Sequence, residues 1–383
     1  MRILVIHTSY KIRGGEDSVV DNEVNLLRSA GHEVETLLFS NSDRALLKLI
    51  QLPYNYSSYQ RVKYVINNFN PDLVHIHNLH FAGSTSVLYA IKKLKVPLVV
   101  TLHNYRMLCP SGTLFFNNQL FTSSVNALFP LKAVINGVYQ KSVILTAWLA
   151  IISLMNQLAG TWNIPDKFIV LGQNAKDIFQ FSKYRHLTSK MEIKPNFCYP
   201  YSNQQNLIGE DYLFVGRLSE EKGINTILKV FAKNGLPLKI VGSGPLKSEI
   251  ESFASNYVNI QFLGVKDSTE VYNLISNAKA ILFSSIWHET FGMVIIEAFA
   301  CGTPVISSAI GEAMHLVTDH YNGLLYTPGD EDDLFDKVNY YQSLNYETLK
   351  LFKENALKSY NEFYTPKQNL DQLICIYNAA KVK

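Results

Sequence analysis

Short apolar runs alternate with amphipathic stretches along almost the whole chain. That rhythm confines it to an α/β fold in which parallel strands are covered by helices. The first half reads MRILVIHT (strand), a Gly14-Gly15 loop, DSVVDNEVNLLRSAGH (a helix ending at Gly31) and EVETLLFS (strand). YQRVKYVINNFNP (helix), DLVHIHN (strand), SVLYAIKKLK (helix) and VPLVVTLHN (strand) continue it. Ligands of such sheets sit at the carboxyl ends of the strands. Gly14-Gly15, His77-Asn78 and His103-Asn104-Tyr105 are therefore expected at one mouth.

A second α/β set follows KPNFCYP, with strand signals in DYLFVGRL, LPLKIVGSG, VNIQFLG, AKAILFSS, TPVISS and NGLLYT. Helical stretches such as GINTILKVFAKNG, PLKSEIESFASN, STEVYNLISN and MVIIEAFACG lie between them. At roughly 150 residues per domain, 383 residues suit two to three domains. The expected division is an N-terminal Rossmann-like domain over 1–197, a C-terminal one over 198–365, and a final helix over 366–383. The linker is expected near 195–210, where Pro195, Pro200, Ser202, Asn203, Gln204 and Gln205 cluster.

Charge is unevenly shared. Residues 1–200 carry 20 Lys+Arg and 11 Asp+Glu, a balance of +9, whereas residues 201–383 carry 15 and 21, a balance of −6. No acidic residue occurs between Asp72 and Asp166, while Lys92, Lys93, Lys95, Arg106, Lys132 and Lys141 all do. Such a stretch is either a surface that attracts anionic lipid or an anionic acceptor, or a buried region that happens to lack acids. Residues 142–165 are uncharged; their length would permit a membrane span. Thr146, Ser153, Asn156, Gln157 and Gly160 interrupt the run, and an α/β pattern resumes at DKFIVLG, so a buried or membrane-surface helix is expected. Cys109, Cys198, Cys301 and Cys375 are scattered without ligand spacing, which fits a reducing compartment and excludes a zinc ribbon. The N-terminus enters a strand without a charged leader, an expectation of a cytosolic protein.

The chain has neither GxxxxGK[ST] nor a GxGxxG after Ile3–Ile6, which excludes a P-loop and a dinucleotide fingerprint. GRLSEEKG instead sets Arg217 at a strand end and Lys222 five residues on. Such a pair either clamps a diphosphate or sits solvated in a loop. Gly242 and Gly244 make a second strand-end turn where backbone can approach a ligand. In SSIWHETFGMVIIEAFACGTPVI, Glu289 falls in a loop, Phe291-Gly292 opens a helix whose N–H groups can hold phosphate, and Glu297 lies on that helix. Two carboxylates flanking an anion hole suit a nucleotide-sugar, one accepting from ribose and one from hexose hydroxyls. The lesser alternative for Glu297 is a core carboxylate paired with a Lys or Arg. His75 and His77 read as structural more readily than as metal ligands, and GDEDD at 329–333 as a helix N-terminus rather than a metal site.

In this order and spacing, Gly14-Gly15, VVTLHNYRMLCP, GRLSEEKG, VGSGP, FLG and ETFGMVIIEAFACGTPV resemble the family 4 retaining glycosyltransferases of the GT-B fold. The resemblance runs from Met1 to the final helix. It implies two Rossmann-like domains facing each other across a cleft, with the C-terminal helix crossing back to the N-domain. No cofactor or metal is implied. Arg217 and Lys222 would bind the donor diphosphate, Glu297 the ribose and Glu289 the transferred sugar. Phe291, Gly292 and Met293 would touch sugar and phosphate, the backbone of Leu263 and Gly264 the base, and Gly242 the donor. Gly15 would let the N-domain loop approach phosphate, and His103 would lie beside the donor sugar, so His103 and Glu289 are the candidate catalytic residues.

The implied partners are a nucleoside-diphosphate-sugar, a glycan or polyprenyl-diphosphate-linked acceptor of cell-surface polysaccharide or lipopolysaccharide synthesis, and an anionic membrane surface held peripherally on the cytoplasmic side; nucleic acid is not among them. Asn104 stands where close relatives often have Asp, SGTLFFNNQLFTSS carries no cysteine, and Gly172 replaces a usual Ser. The rivals are a GT-B sugar-nucleotide epimerase and a non-catalytic scaffold subunit of a polysaccharide assembly complex.

Overall fold

The computed structural model describes residues 1–9, 14–41, 49–201 and 209–382. Ser202, Asn203, Gln204 and Gln205 of the expected linker lie outside the described residues. The chain divides into two compact units, one of residues 1–114, 121–195 and 369–383, the other of residues 115–120 and 196–368.

The first unit is built on six parallel strands: β1 (Arg2–Ser9), β2 (Glu33–Ser40), β3 (Leu73–Ile76), β4 (Leu98–Leu102), and two later ones at Lys167–Val170 and Met191–Ile193. Every residue of Leu73–Ile76 and Leu98–Leu102 is buried, as expected of central strands covered on both faces. The sheet switches direction between β1 and β3, since β2 lies beyond β1 and the later strands follow β3. Strand Met191–Ile193, too short to signal itself, completes the far edge.

Helices α1 (Gly15–Ser29), α2 (Tyr56–Phe69), α3 (Ser86–Leu94), α4 (Leu131–Ile135), α5 (Val143–Leu158) and α6 (Gln173–Gln180) belong to this unit. On α1, Val20, Val24 and Leu27 recur at helical spacing and bury against Ile3, Val5 and Leu73 of the sheet. Asn55 caps α2, its Oδ1 accepting from Ser58 N at 3.0 Å, which starts the helix before the apolar run that announces it. In α5, Thr146 Oγ1 donates to Ser142 O at 2.7 Å and accepts from Tyr139 N at 3.0 Å, so this polar interruption is satisfied internally. The helix buries Leu149, Ala150 and Ile152 and exposes Ile144, Ile151, Met155 and Leu158 along one stripe. Among the described residues, no helix is long and apolar enough to cross a membrane.

The second unit contains a short hairpin of β5 (Phe115–Phe116) and β6 (Gln119–Leu120). With the two later strands of the first unit numbered β7 (Lys167–Val170) and β8 (Met191–Ile193), its parallel sheet comprises β9 (Tyr212–Val215), β10 (Leu238–Val241), β11 (Ile260–Gly264), β12 (Ala280–Phe283), β13 (Val305–Ser308) and β14 (Gly323–Tyr326). Their order, β11-β10-β9-β12-β13-β14, is the doubly wound Rossmann order, with its switch point between β9 and β12. Its helices are α7 (Ile224–Asn234), α8 (Lys247–Ala254), α9 (Ser268–Ser276), α10 (Met293–Ala300), α11 (Ala313–Leu316), α12 (Glu331–Ser343) and α13 (Tyr346–Phe363). Asp330 caps α12, its Oδ1 accepting from Asp332 N and Asp333 N at 3.0 Å each, so GDEDD is a helix N-terminus.

The last helix, α14 (Pro366–Lys381), opens on the proline its fixed φ favours at a first helical position. From Asn369 on it belongs to the first unit, where Leu373, Ile376 and Tyr377 join the core with Ile3 and Val5. The fold is that of two Rossmann-like domains with the chain returning to the first, as the GT-B resemblance implies.

Candidate active site

In the second unit the switch point sets the loop after β9 beside the loop after β12. The first loop carries Gly216 and Arg217, the second Ser284 to Glu289. Two contacts lock them together: Ile286 N donates to Glu221 O at 2.9 Å, and Ser284 Oγ donates to Lys222 O at 2.7 Å. Gly223, at φ +62°, makes this possible, because a Cβ there would fall 2.0 Å from Ser284 O. Lys222 Nζ consequently donates to Glu289 Oε1 at 2.5 Å, and Ser285 Oγ donates to the same oxygen. Glu289 is buried, Lys222 partly so, and Arg217 exposed.

Gly242 follows β10 with φ +147°, and a Cβ there would meet Gly216 O at 1.9 Å, so a side chain is sterically barred where these strand ends converge. Gly242 N donates to Gly264 O at 2.9 Å, which ties in the Leu263-Gly264 end of β11. Helix α10 begins at Met293, one residue later than Gly292, which precedes it in an extended conformation. Phe291 is buried edge-on to the Tyr364 ring, 6.3 Å between centroids.

Glu297 lies on α10 among Cys198, Cys301 and Tyr272, all of which feel its charge. Burial pushes its carboxyl up to about 7 and the Cys301 thiol up to about 12. Among the described residues, no Lys or Arg pairs with Glu297, whose carboxyl is shifted by burial, which speaks against its reading as a core carboxylate paired with a base. In the sequence Cys198 shows only as one of four scattered cysteines and Tyr272 not at all, since neither belongs to a motif.

The first unit holds a second polar centre. Glu23, on the buried face of α1, has Oε2 3.0 Å from Lys194 Nζ and Oε1 3.1 Å from both His75 Nδ1 and His77 Nε2. His75 also meets Tyr377 Oη at 2.7 Å and Thr101 Oγ1 at 2.8 Å. His77 Nδ1 lies 3.0 Å from His103 Nε2. A carboxylate facing His77 Nε2 calls for a proton on that nitrogen. His77 Nδ1 then accepts from His103 Nε2, which sets the His103 tautomer.

Burial favours neutral Glu23, yet Lys194, His77 and His75 together hold its carboxyl well below the usual range. Burial, reinforced by the neighbouring His75, brings His77 down to about 4; burial and His77 likewise lower His103. Among the described residues, only Glu23, His75 and His77 bring three metal-type ligand atoms together. Lys194 Nζ lies against Oε2 of the carboxylate, and Tyr377 and Thr101 meet both His75 nitrogens. Besides the His75 and His77 pair, its sequence signals are an acid and a lysine inside apolar patterns, Glu23 beside Val24 and Lys194 after MEI.

Gly14 N donates to Asp17 Oδ2 at 2.9 Å, closing the start of α1, where Gly15 is exposed. Asp17 Oδ1 meets His7 Nε2 at 2.9 Å. Asn104 Oδ1 accepts from Arg106 N at 3.1 Å, so the amide standing where relatives often carry Asp shapes the turn after β4.

The family model described as Glycosyltransferase Family 4 matches residues 13–129, and that described as Glycosyl transferases group 1 matches residues 202–359. Together they cover well over half of the chain. An uncharacterized glycosyltransferase of Methanocaldococcus jannaschii is 26% identical over 95% of this chain and 94% of its own. A phosphatidyl-myo-inositol mannosyltransferase of Mycobacterium leprae is 25% identical over 88% of this chain and 86% of its own. The crystal structure of Anabaena Alr3699/HepE in complex with UDP superposes with a TM-score of 0.68, covering 99% of this chain and 100% of that one at 18% identity. With the Rossmann strand order, the GRLSEEKG and ETFGMVIIE loops joined at its switch point, and family models on both halves, the chain belongs to the family 4 glycosyltransferases of the GT-B fold.

Proposed function

We propose that the protein is a retaining, metal-independent transferase that moves a hexose from a nucleoside-diphosphate-sugar to a glycan or lipid-linked glycan in cell-surface polysaccharide or glycolipid synthesis. The observation that carries this reading is the meeting of Lys222 and Glu289 at the switch point of a Rossmann sheet, a cation and a carboxylate where a nucleotide binds. Arg217 and Lys222 hold the diphosphate, Glu297 accepts from the ribose, and Glu289 accepts from the transferred sugar. Phe291, Gly292 and Met293 present the start of α10 to the sugar and phosphate, and Gly242, Leu263 and Gly264 line the nucleoside side. Gly15 and His103 take the roles the resemblance implies, His103 in the tautomer set by His77. The UDP complex of the similar Anabaena protein and the inositol-lipid name of the mycobacterial relative agree with a nucleotide donor and a lipid-bearing acceptor.

Transfer with retention follows from a front-face substitution. The acceptor oxygen bonds to the anomeric carbon on the face the diphosphate leaves, the anomeric C–O bond to phosphate breaks with its electron pair, and the acceptor proton passes to the leaving phosphate oxygen. Arg217 and Lys222 stabilise the charge that develops on that phosphate. Incubation with a panel of nucleotide-sugars, in excess EDTA, should release nucleoside diphosphate, and the anomeric product should keep the donor configuration. A strict need for Mg2+, an inverted product, or a free isomerised sugar would overturn the reading, the last in favour of an epimerase.

The apolar stripe of α5, flanked by exposed Leu131, Ile135, Lys132 and Lys141, supports peripheral binding to an anionic membrane.

A further inference from the structure

A cavity of about 150 Å³ opens within the first unit, between the carboxyl ends of β3 and β4 and the inner face of α5. Its two walls differ in chemistry. The strand-end wall presents His77, Asn78, His103 and Arg106, while Leu52 and Phe81 join Leu149 and Ile152 of α5 on the apolar side, with Ser153 and Asn156 beside them. Among the described residues, no Asp or Glu lines it.

Three buried donors on the polar wall lack a hydrogen-bond partner: Nε and Nη1 of Arg106, and Nδ2 of Asn78. Buried polar atoms are nearly always satisfied, and a guanidinium left with idle donors signals an absent acceptor. Among the described residues, the groups shifted by its charge are His80 and Tyr139, neither of which can neutralise it. The fork is held in place deliberately. Asn104 turns the chain at Arg106 N, and Gly112, at φ +78°, leaves room where a Cβ would lie 3.3 Å from the guanidinium carbon.

The missing partner is an anion with several acceptor oxygens. The apolar wall adds a second requirement, because a free inorganic anion gains nothing from Leu149 and Ile152. Helix α5 further links the cavity to the surface: beside the face that carries Leu149 and Ile152 runs the exposed stripe of Ile144, Ile151, Met155 and Leu158. An amphiphile whose tail rests in a bilayer against that stripe can place its head one helix away.

We propose that this cavity holds the phosphate and the first apolar carbons of a lipid-linked acceptor, with Arg106 and Asn78 donating to the phosphate oxygens. The inference rests on the glycosyltransferase reading and deepens it by assigning the acceptor's chemistry to named residues. It also gives the acid-free stretch between Asp72 and Asp166 a purpose, since a carboxylate near Arg106 would compete with the phosphate.

The test uses geranyl phosphate as the probe, with geraniol and inorganic phosphate as controls, followed by calorimetry and by Trp162 fluorescence on the full chain. Geranyl phosphate should bind at least tenfold more tightly than either control. Arg106→Gln should weaken it at least tenfold, and Arg106→Lys, which keeps charge without the fork, by less. UDP binding, measured in parallel, should be unchanged in both variants. Equal binding of inorganic phosphate would reduce the site to one for small anions and overturn the lipid assignment. Equal binding of geraniol, or unaltered geranyl phosphate affinity in Arg106→Gln, would overturn the role of Arg106. Should Arg106→Gln fail to fold, an unweakened Arg106→Lys with a wild-type melting curve would overturn it as well. Loss of UDP binding by the wild-type chain would instead sink the donor reading and leave this site standing.

Discussion

Lys222 Nζ and Glu289 Oε1 stand 2.5 Å apart, joining two loops that lie 67 residues apart in sequence. Each therefore satisfies the other before any donor arrives. On the proposed donor reading, a diphosphate would share Lys222 with Glu289, whose Oε1 also accepts from Ser285 Oγ, and the pair would couple phosphate binding to sugar binding.

Arg217 and Lys222 should consequently fail in different ways. Arg217→Ala, at an exposed side chain, should weaken nucleoside diphosphate binding roughly tenfold, the loss of a charge-assisted bond, with no change in melting temperature. Lys222→Ala should weaken binding similarly and also destabilise the protein by about 1–2 kcal/mol, because Glu289 is left buried without its cation. Calorimetric titration with nucleoside diphosphate and denaturant melts separate the two; unimpaired binding in either variant would refute the clamp.

Glu289 and Glu297 should separate kinetically. Glu289→Gln and His103→Ala should mainly lower kcat, since the proposal gives each a role at the sugar that moves, whereas Glu297→Gln should mainly raise the donor KM. Matching profiles for the two glutamate variants would remove the basis for their different roles.

The Glu297 carboxyl, raised by burial to about 7, gives a pH signature. As pH rises through 7 the carboxylate forms and accepts from the ribose more strongly, so donor KM should fall across that window in wild type and stay flat in Glu297→Gln. Stability has the opposite slope. Between the ordinary carboxylate range and pH 7 the native state binds more protons than the unfolded state, so this group stabilises at low pH and the benefit is lost as pH rises through 7. Melts of wild type and Glu297→Gln from pH 5 to 8 check the sign.

His77 predicts the reverse. Its folded value of about 4 lies below that of an unfolded histidine, so the stability it contributes is complete above about pH 6.5 and is lost as pH falls toward 4. His103 is shifted down too and adds to the same loss, whereas Glu23, held below the ordinary carboxylate range, loses its contribution only as pH falls below that range. His77→Gln should flatten the acid limb of the melting curve, and it should lower kcat more than it changes donor KM, because His103 loses the partner that fixes its tautomer. An unchanged kcat would make the His77 contact purely structural.

Membrane attachment should be electrostatic and apolar at once. Binding to anionic liposomes should weaken with salt, with Lys132→Glu and Lys141→Glu together, and with Ile144→Ser and Met155→Ser on the α5 stripe. Equal recovery with neutral and anionic vesicles in a flotation assay would refute it.

Periodicity and loop chemistry are local, and they were legible without coordinates. The apolar runs that became β1, β3, β4 and the strands β9 to β14 lie where the alternation puts them, because a strand buried on both faces needs a continuous apolar run. Gly242 and the GRLSEEKG and ETFGMVIIE loops were visible for the same reason: a strand-end turn declares itself in its own residues. What joins distant residues was not legible. Lys222 meets Glu289, Glu23 gathers Lys194, His75 and His77, and Tyr377 returns to His75 across 302 positions only because the strand order β2-β1-β3-β4 and the course of the last helix bring them together. The idle donors of Arg106 belong to the same class. Whether a buried cation has a partner depends on every side chain around it, and tertiary packing alone decides that.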